Sequence, residues 1–168
     1  MAGGSRSSQH EHDPRPILGW RERIDIPGWG VRGVRAKIDT GARTSAIHVD
    51  GIEAIADDRV RFEVVVRERP RRVVSVEAEV VRWSSVRPSS GRAQQRPVVR
   101  ARLHIGAVER EAEVSLVSRK GMLCRMLVGR RALEGLLVDP AARYLLTRPS
   151  SRAGPAPDPA AGGKGGAA

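Results

Sequence analysis

Between Arg21 and Val117 apolar residues recur at every second position in short runs, and each run stops at Gly, Pro or a polar cluster. A period of two is the period of a pleated strand with one buried face, so such a chain buries its apolar residues on sheets. The runs "RERIDI" (21–26), "VRAKID" (34–39), "VRFEVVVRE" (60–68), "RVVSVEAEVVRW" (72–83), "RPVVRARLHI" (96–105), "REAEVSLV" (110–117) and "CRMLVG" (124–129) read as strands. A Pro-Gly turn at Pro27 and Gly28 ends the first run, Pro70 interrupts the third, and Gly106 joins two runs as a hairpin. "RRALEGLLV" (130–138) is the one stretch with helical spacing, and "ARYLLT" (142–147) reads as a last strand. The expected fold is mainly β, a closed barrel of short strands with one short C-terminal helix. Aromatic residues make up only 3% of the chain, so the core must rest on Val, Ile, Leu and Ala.

The 168 residues suit one domain with tails. Residues 1–15 and 148–168, rich in Gly, Ser, Pro and Ala, bury too little apolar surface to offset the entropy of ordering and are expected to be disordered, leaving a domain over 16–147. A formal net charge of +11, almost wholly from arginine because lysine occurs only at Lys37, Lys120 and Lys164, favours acidic partners. The single Cys124 cannot form an internal disulfide, and no apolar run is long enough to span a bilayer or to serve as a secretory signal. These features predict a soluble cytoplasmic protein with no membrane partner.

"AKIDTGARTSAIHV" (36–49) holds the one carboxylate in a setting that suggests chemistry. Asp39 ends an alternating strand and is followed by Thr40, Gly41 and the small Ala42. A structural turn, in which Asp caps its own backbone, accounts for the tripeptide taken alone. Some ninety residues later comes "MLVGRRAL", and between the two lies "SSVRPSSGRAQQRPVV", a Ser- and Gly-bearing hairpin. With "GWRERIDIP" and "VDPAARYLL" in order over Leu18 to Leu146, the chain resembles the retropepsin-like aspartic proteases. More narrowly, it resembles the bacterial family labelled "ATP-dependent zinc protease", some members of which accompany RimK-type glutamate ligases.

The resemblance implies peptide hydrolysis by two carboxylates that hold one proton between them, because like charges so close cannot both ionise. One acts as base on a water while the other donates to the carbonyl oxygen, and the two ionisations belong to the pair. Asp39, Thr40 and Gly41 would form the catalytic loop. No other Asp is followed by Thr-Gly, so the second carboxylate must be another copy of Asp39 across a two-fold axis, in a C2 homodimer.

Ser89, Ser90 and Gly91, with Arg92 and Arg87 beside them, are the candidate flap over substrate. Gly129 would allow close packing beneath the catalytic loop, with Arg130 at the start of the helix. In viral retropepsins the Arg in that position pairs with an Asp soon after the catalytic Gly. Here the second residue after Gly41 is Arg43, so that brace is absent. Ala42, Arg43 and Arg130 then join the candidate substrate-binding residues, and the guanidiniums favour an acidic, glutamate-rich peptide.

No G-x-x-x-x-G-K-[ST] and no H-E-x-x-H occurs, so the sequence offers motifs for neither ATP nor zinc, and no cofactor is expected. Two other classes remain open at this stage. One is a non-catalytic peptide-binding or assembly module of the same fold. The other is a basic RNA- or ribosome-associated protein, which the charge favours and the missing aromatic platform and RNA motif disfavour.

Overall fold

The computed structural model describes residues 15–86 and 94–147. Its strands are β1 (Ile17–Gly19), β2 (Arg21–Ile26), β3 (Val31–Asp39), β4 (Ser45–Ala56), β5 (Arg59–Glu68), β6 (Arg71–Val86), β7 (Gln94–Ile105), β8 (Val108–Val117), β9 (Met126–Gly129) and β10 (Leu137–Asp139). Hydrogen bonding runs β2-β3-β9-β4-β5-β6-β7-β8. Further pairings of β7 with β2 and of β8 with β4 close the sheet into a ring. β1 and β10 form a separate parallel pair. No helix among the described residues is long and apolar enough to cross a membrane.

The alternation in the sequence becomes the inside and outside of this ring. On β3, Val34, Ala36 and Ile38 are buried while Arg35 and Lys37 are exposed. Val31 is buried too, although it lies an odd number of residues from Val34. A bulge resets the register: Ile24 faces Val34, Ile26 faces Val31, and Gly33 in the extra length takes φ +67°, which favours glycine. The core is aliphatic, as the composition requires. Its one phenylalanine, Phe62, meets Trp29 edge-on at 5.4 Å between ring centroids.

Two expectations near the C-terminus change. Of the stretch read as a helix, only a 3-10 turn at Arg130–Ala132 remains. The Arg130 and Arg131 N–H groups donate to the carbonyls of Ala42 and Arg43, and Gly135 at φ +72° turns the chain so that Leu137–Asp139 pairs with β1. Nine residues with an internal glycine hold a helix only weakly, and these tertiary bonds outweigh it. Residues 142–147 are not a strand either. Their amides bind a side chain: the buried Glu22 carboxylate accepts the N–H of Leu145 at 2.9 Å, of Leu146 at 3.3 Å and of Thr147 at 3.1 Å. It also accepts the Gly19 N–H at 2.8 Å and the Thr147 hydroxyl.

β4, which the alternation did not reveal, carries the fully buried His48. Its Nδ1 accepts the Arg119 N–H at 2.9 Å, which places the proton of the neutral ring on Nε2. Nε2 is buried and meets no protein partner among the described residues. Burial holds this imidazole below its ordinary value of 6.5, with the Asp50 carboxylate pulling the other way.

Two outcomes follow from these buried groups. Glu22→Ala strands several buried donors and is expected to lower stability by ~3 kcal/mol or more, read from denaturant unfolding. His48 protonates in the unfolded chain as the pH falls through its ordinary value but resists in the folded one. Stability therefore declines as the pH drops from about 7 to about 5, and His48→Asn, which keeps an acceptor, flattens that part of the pH profile of the melting temperature.

Candidate active site

β9 threads between β3 and β4, parallel to the first and antiparallel to the second. Asp39, the last residue of β3, lies opposite Gly129, the last residue of β9. The loop from Thr40 to Thr44 crosses over this point. A Cβ on Gly129 would sit 2.7 to 2.9 Å from the carbonyl carbon, oxygen and nitrogen of Thr44, so only glycine fits beneath the loop. Three bonds then fasten the crossing. The Gly129 N–H donates to the Ser45 hydroxyl at 3.1 Å, the Arg130 N–H to the Ala42 carbonyl at 2.8 Å and the Arg131 N–H to the Arg43 carbonyl at 3.4 Å.

The carboxylate is positioned by its own loop. Asp39 Oδ1 accepts the N–H of Gly41 at 3.1 Å and of Ala42 at 3.2 Å, and Oδ2 lies 3.5 Å from Lys37 Nζ. The side chain keeps 27% of its surface open to solvent. Gly41 is not in the left-handed region, and a Cβ there would meet only Asp39 Oδ1, at an ordinary 3.4 Å. Within one chain its backbone therefore has no close neighbour to accommodate. The Thr40 hydroxyl is exposed and has no partner among the described residues.

Of the sequence-derived site residues, the fold brings Asp39, Thr40, Gly41, Ala42, Arg43 and Arg130 to one crossing. The Arg43 and Arg130 side chains are exposed and form no ion pair among the described residues, whereas Arg131 lies 3.7 Å from Glu113. Ser89, Ser90, Gly91, Arg92 and Arg87 lie outside the described residues. Two cations escaped the sequence reading. Lys37 shares the outer face of β3 with Asp39, two residues away, so the alternation itself points to it. Arg119, from the β8–β9 connection, is half-buried and donates from Nε to the Cys124 carbonyl at 3.3 Å. Burial lowers its guanidinium, while Cys124 and then the Asp39 carboxylate oppose that shift. A concavity of about 430 Å³ bordered by Thr44, Ser45, Arg100 and Glu113 lies behind the loop and does not include Asp39.

The threaded strand and the acid-bearing loop above its glycine are those of the retropepsin-like class. The chain belongs to the RimB-like family, described as "Retropepsin-like aspartic endopeptidase RimB", whose model matches residues 17–149. Two curated relatives are both named "Probable alpha-L-glutamate ligase". The one from Shewanella pealeana is 32% identical over 139 residues, 80% of this chain and 30% of that protein. The one from Parasynechococcus marenigrum is 36% identical over 135 residues, 77% of this chain and 29% of that protein. The chain thus spans less than a third of the length of these relatives. A crystal structure of a Legionella pneumophila protein of unknown function is 29% identical and superposes with a TM-score of 0.65, over 78% of this chain and 98% of that one.

Gly129→Ala tests the crossing. The added methyl meets backbone rather than a flexible side chain, so the loop must lift. The expected result is a loss of about 2 kcal/mol or more in denaturant unfolding, together with faster amide exchange at Gly41 and Ala42.

Proposed function

We propose that this chain is an aspartic endopeptidase that acts as a C2 homodimer, with Asp39 from each copy sharing one proton in a single site. The observation that carries the reading is an Asp39 carboxylate held by two backbone N–H groups at the end of a braced strand, partly open, with no second carboxylate bonded to it among the described residues. One such group holds a water but cannot also protonate the carbonyl oxygen. A second copy completes the pair, and the exposed Thr40 and the uncrowded Gly41 are the surfaces through which two loops would meet. The base of the pair removes a proton from water as the water oxygen attacks the peptide carbon. The acid gives its proton to the carbonyl oxygen, and collapse of the resulting diol expels the amine with a proton returned from the pair.

The substrate reading is an acidic, glutamate-rich peptide. Lys37 Nζ lies 3.5 Å from Asp39, and Arg43 and Arg130, which form no ion pair among the described residues, belong to the same crossing. Cations in this number at a cleft favour carboxylate side chains through charge-assisted bonds. The relatives' name, a ligase for alpha-L-glutamate, concerns the same amino acid and supports a setting in which glutamate is added by one activity and removed by another.

Peptide cleavage followed by mass spectrometry, with glutamate-rich and neutral peptides from acid to neutral pH, tests both parts. Wild type is expected to cut the acidic peptides preferentially and to resist chelator, and Asp39→Asn to lose at least about 100-fold in rate. Specific activity should fall on dilution as the dimer dissociates, checked by sedimentation. Equal cutting of neutral peptides overturns the substrate class. An inert wild-type dimer overturns the peptidase and favours a binding module.

A further inference from the structure

Some of the arginines on this surface hold a carboxylate. Arg61, Arg71, Arg82 and Arg125 lie 2.7 to 3.2 Å from Glu77, Asp50, Glu113 and Glu68. Most of the others form no ion pair among the described residues, and five of these gather at one place. Arg23, Arg32, Arg35, Arg67 and Arg72 line one cavity of about 350 Å³ with Tyr144, and none of the five forms an ion pair among the described residues. They are set against one another, for Arg23 is the cross-strand partner of Arg35, and Arg67 of Arg72. Like charges directly opposite one another destabilise a sheet. The half-buried Arg23 also keeps Nε without a partner. Folding leaves this electrostatic cost in place, and an anionic group placed there would relieve it.

The cavity is joined to the active site by a straight strand. Arg35, Lys37 and Asp39 occupy alternate positions on the outer face of β3, so Arg35 stands ~13 Å from Asp39 at ~3.3 Å per residue. An extended peptide repeats its side chains with the same period. We propose that the cavity is a secondary site for the same acidic polypeptide, holding carboxylates about four to seven residues from the bond cut at Asp39. The inference rests on the peptidase reading above and adds that the enzyme measures the length of the acidic tract. Guanidinium forks suit carboxylates placed in this way. An RNA strand fits less well. The one aromatic ring lining the cavity, Tyr144, already carries the Arg21 and Arg23 guanidiniums at 5.2 and 5.4 Å, which leaves less of it for a base.

The test uses the 168-residue chain with Asp39→Asn, in which turnover is expected to be slowed at least about 100-fold, and fluorescence anisotropy with labelled oligoglutamates of about 4 and about 14 residues, oligoglutamine, and a single-stranded RNA of matched charge. The long oligoglutamate should bind about tenfold more tightly than the short one. Arg35→Gln with Arg72→Gln should abolish that advantage and leave the short peptide unchanged. In the catalytically competent chain the same pair should raise KM for long peptides without lowering kcat. Because the pair relieves like-charge contacts, its melting temperature should hold or rise, which separates a binding defect from misfolding. Unchanged binding of the long peptide in the double variant, with Asp39-dependent cleavage intact, overturns the secondary site alone. So does a loss that falls on RNA and not on peptide. Absence of Asp39-dependent cleavage overturns the peptidase reading and the secondary site with it.

Discussion

The meeting of Gly129 with the backbone of Thr44 is the contact on which the rest of the site depends. β9 can pass between β3 and β4 only because no side chain stands at that point, and the loop that bears Asp39 can close over it only for the same reason. Parallel pairing of Ala36 to Asp39 with Met126 to Gly129 then sets where β3 ends. The carbonyls of Ala42 and Arg43 accept amides from the turn that follows β9, so the acid-bearing loop is fastened at both ends to one short strand. The ring of strands gives that strand a rigid surround, as a carboxylate needs if its geometry is to be narrower than thermal motion of a free loop permits.

Around this framework the charge is uneven. Acidic and basic side chains pair off over part of the β5–β6 hairpin and along β8, while Arg67 and Arg72 of that hairpin meet Arg32 and Arg35 of β3 and Arg23 of β2 in one cluster of cations that form no ion pair among the described residues. Part of the net charge of +11 is therefore gathered in a cluster rather than spread evenly. The chain belongs to a family of aspartic endopeptidases, and two of these cations, Arg32 and Arg35, stand on the strand that ends in Asp39.

Much of this was legible in the chain. The alternation identified β2, β3 and β5 to β9, and the pairing of "DTGA" with a late "MLVGRRAL" identified both sides of the crossing. What escaped did so for definite reasons. In β4 the register slips between Asp50 and Glu53, and Gly51 takes φ +59°, so no continuous two-residue period runs through it. Residues 130–138 have helical spacing, but their amides had better partners in a loop ninety residues earlier, which local pattern cannot show. Residues 142–147 are apolar enough for a strand, yet the amides of Leu145, Leu146 and Thr147 belong to Glu22, a distant carboxylate whose burial breaks the usual rule for its type. Lys37 was within reach of the same alternation that found Asp39. Arg119 was not, since nothing in the local pattern ties it to Asp39.

Glu22 has a consequence for how such a domain is carried. Its carboxylate takes hydrogen bonds from Gly19 on one side and from Leu145 to Thr147 on the other, and the Leu137 N–H reaches the Pro16 carbonyl at 3.0 Å. The first and last segments of the domain are thus tied to the same side chain and run side by side along one flank of the ring. A module whose two ends leave together can be spliced into a longer polypeptide, or joined end to end and reopened elsewhere, without prising its sheet apart. The longer relatives are proteins in which a segment like this one forms about 30% of the chain. One buried acid thus holds the first and last described segments of the domain to one another.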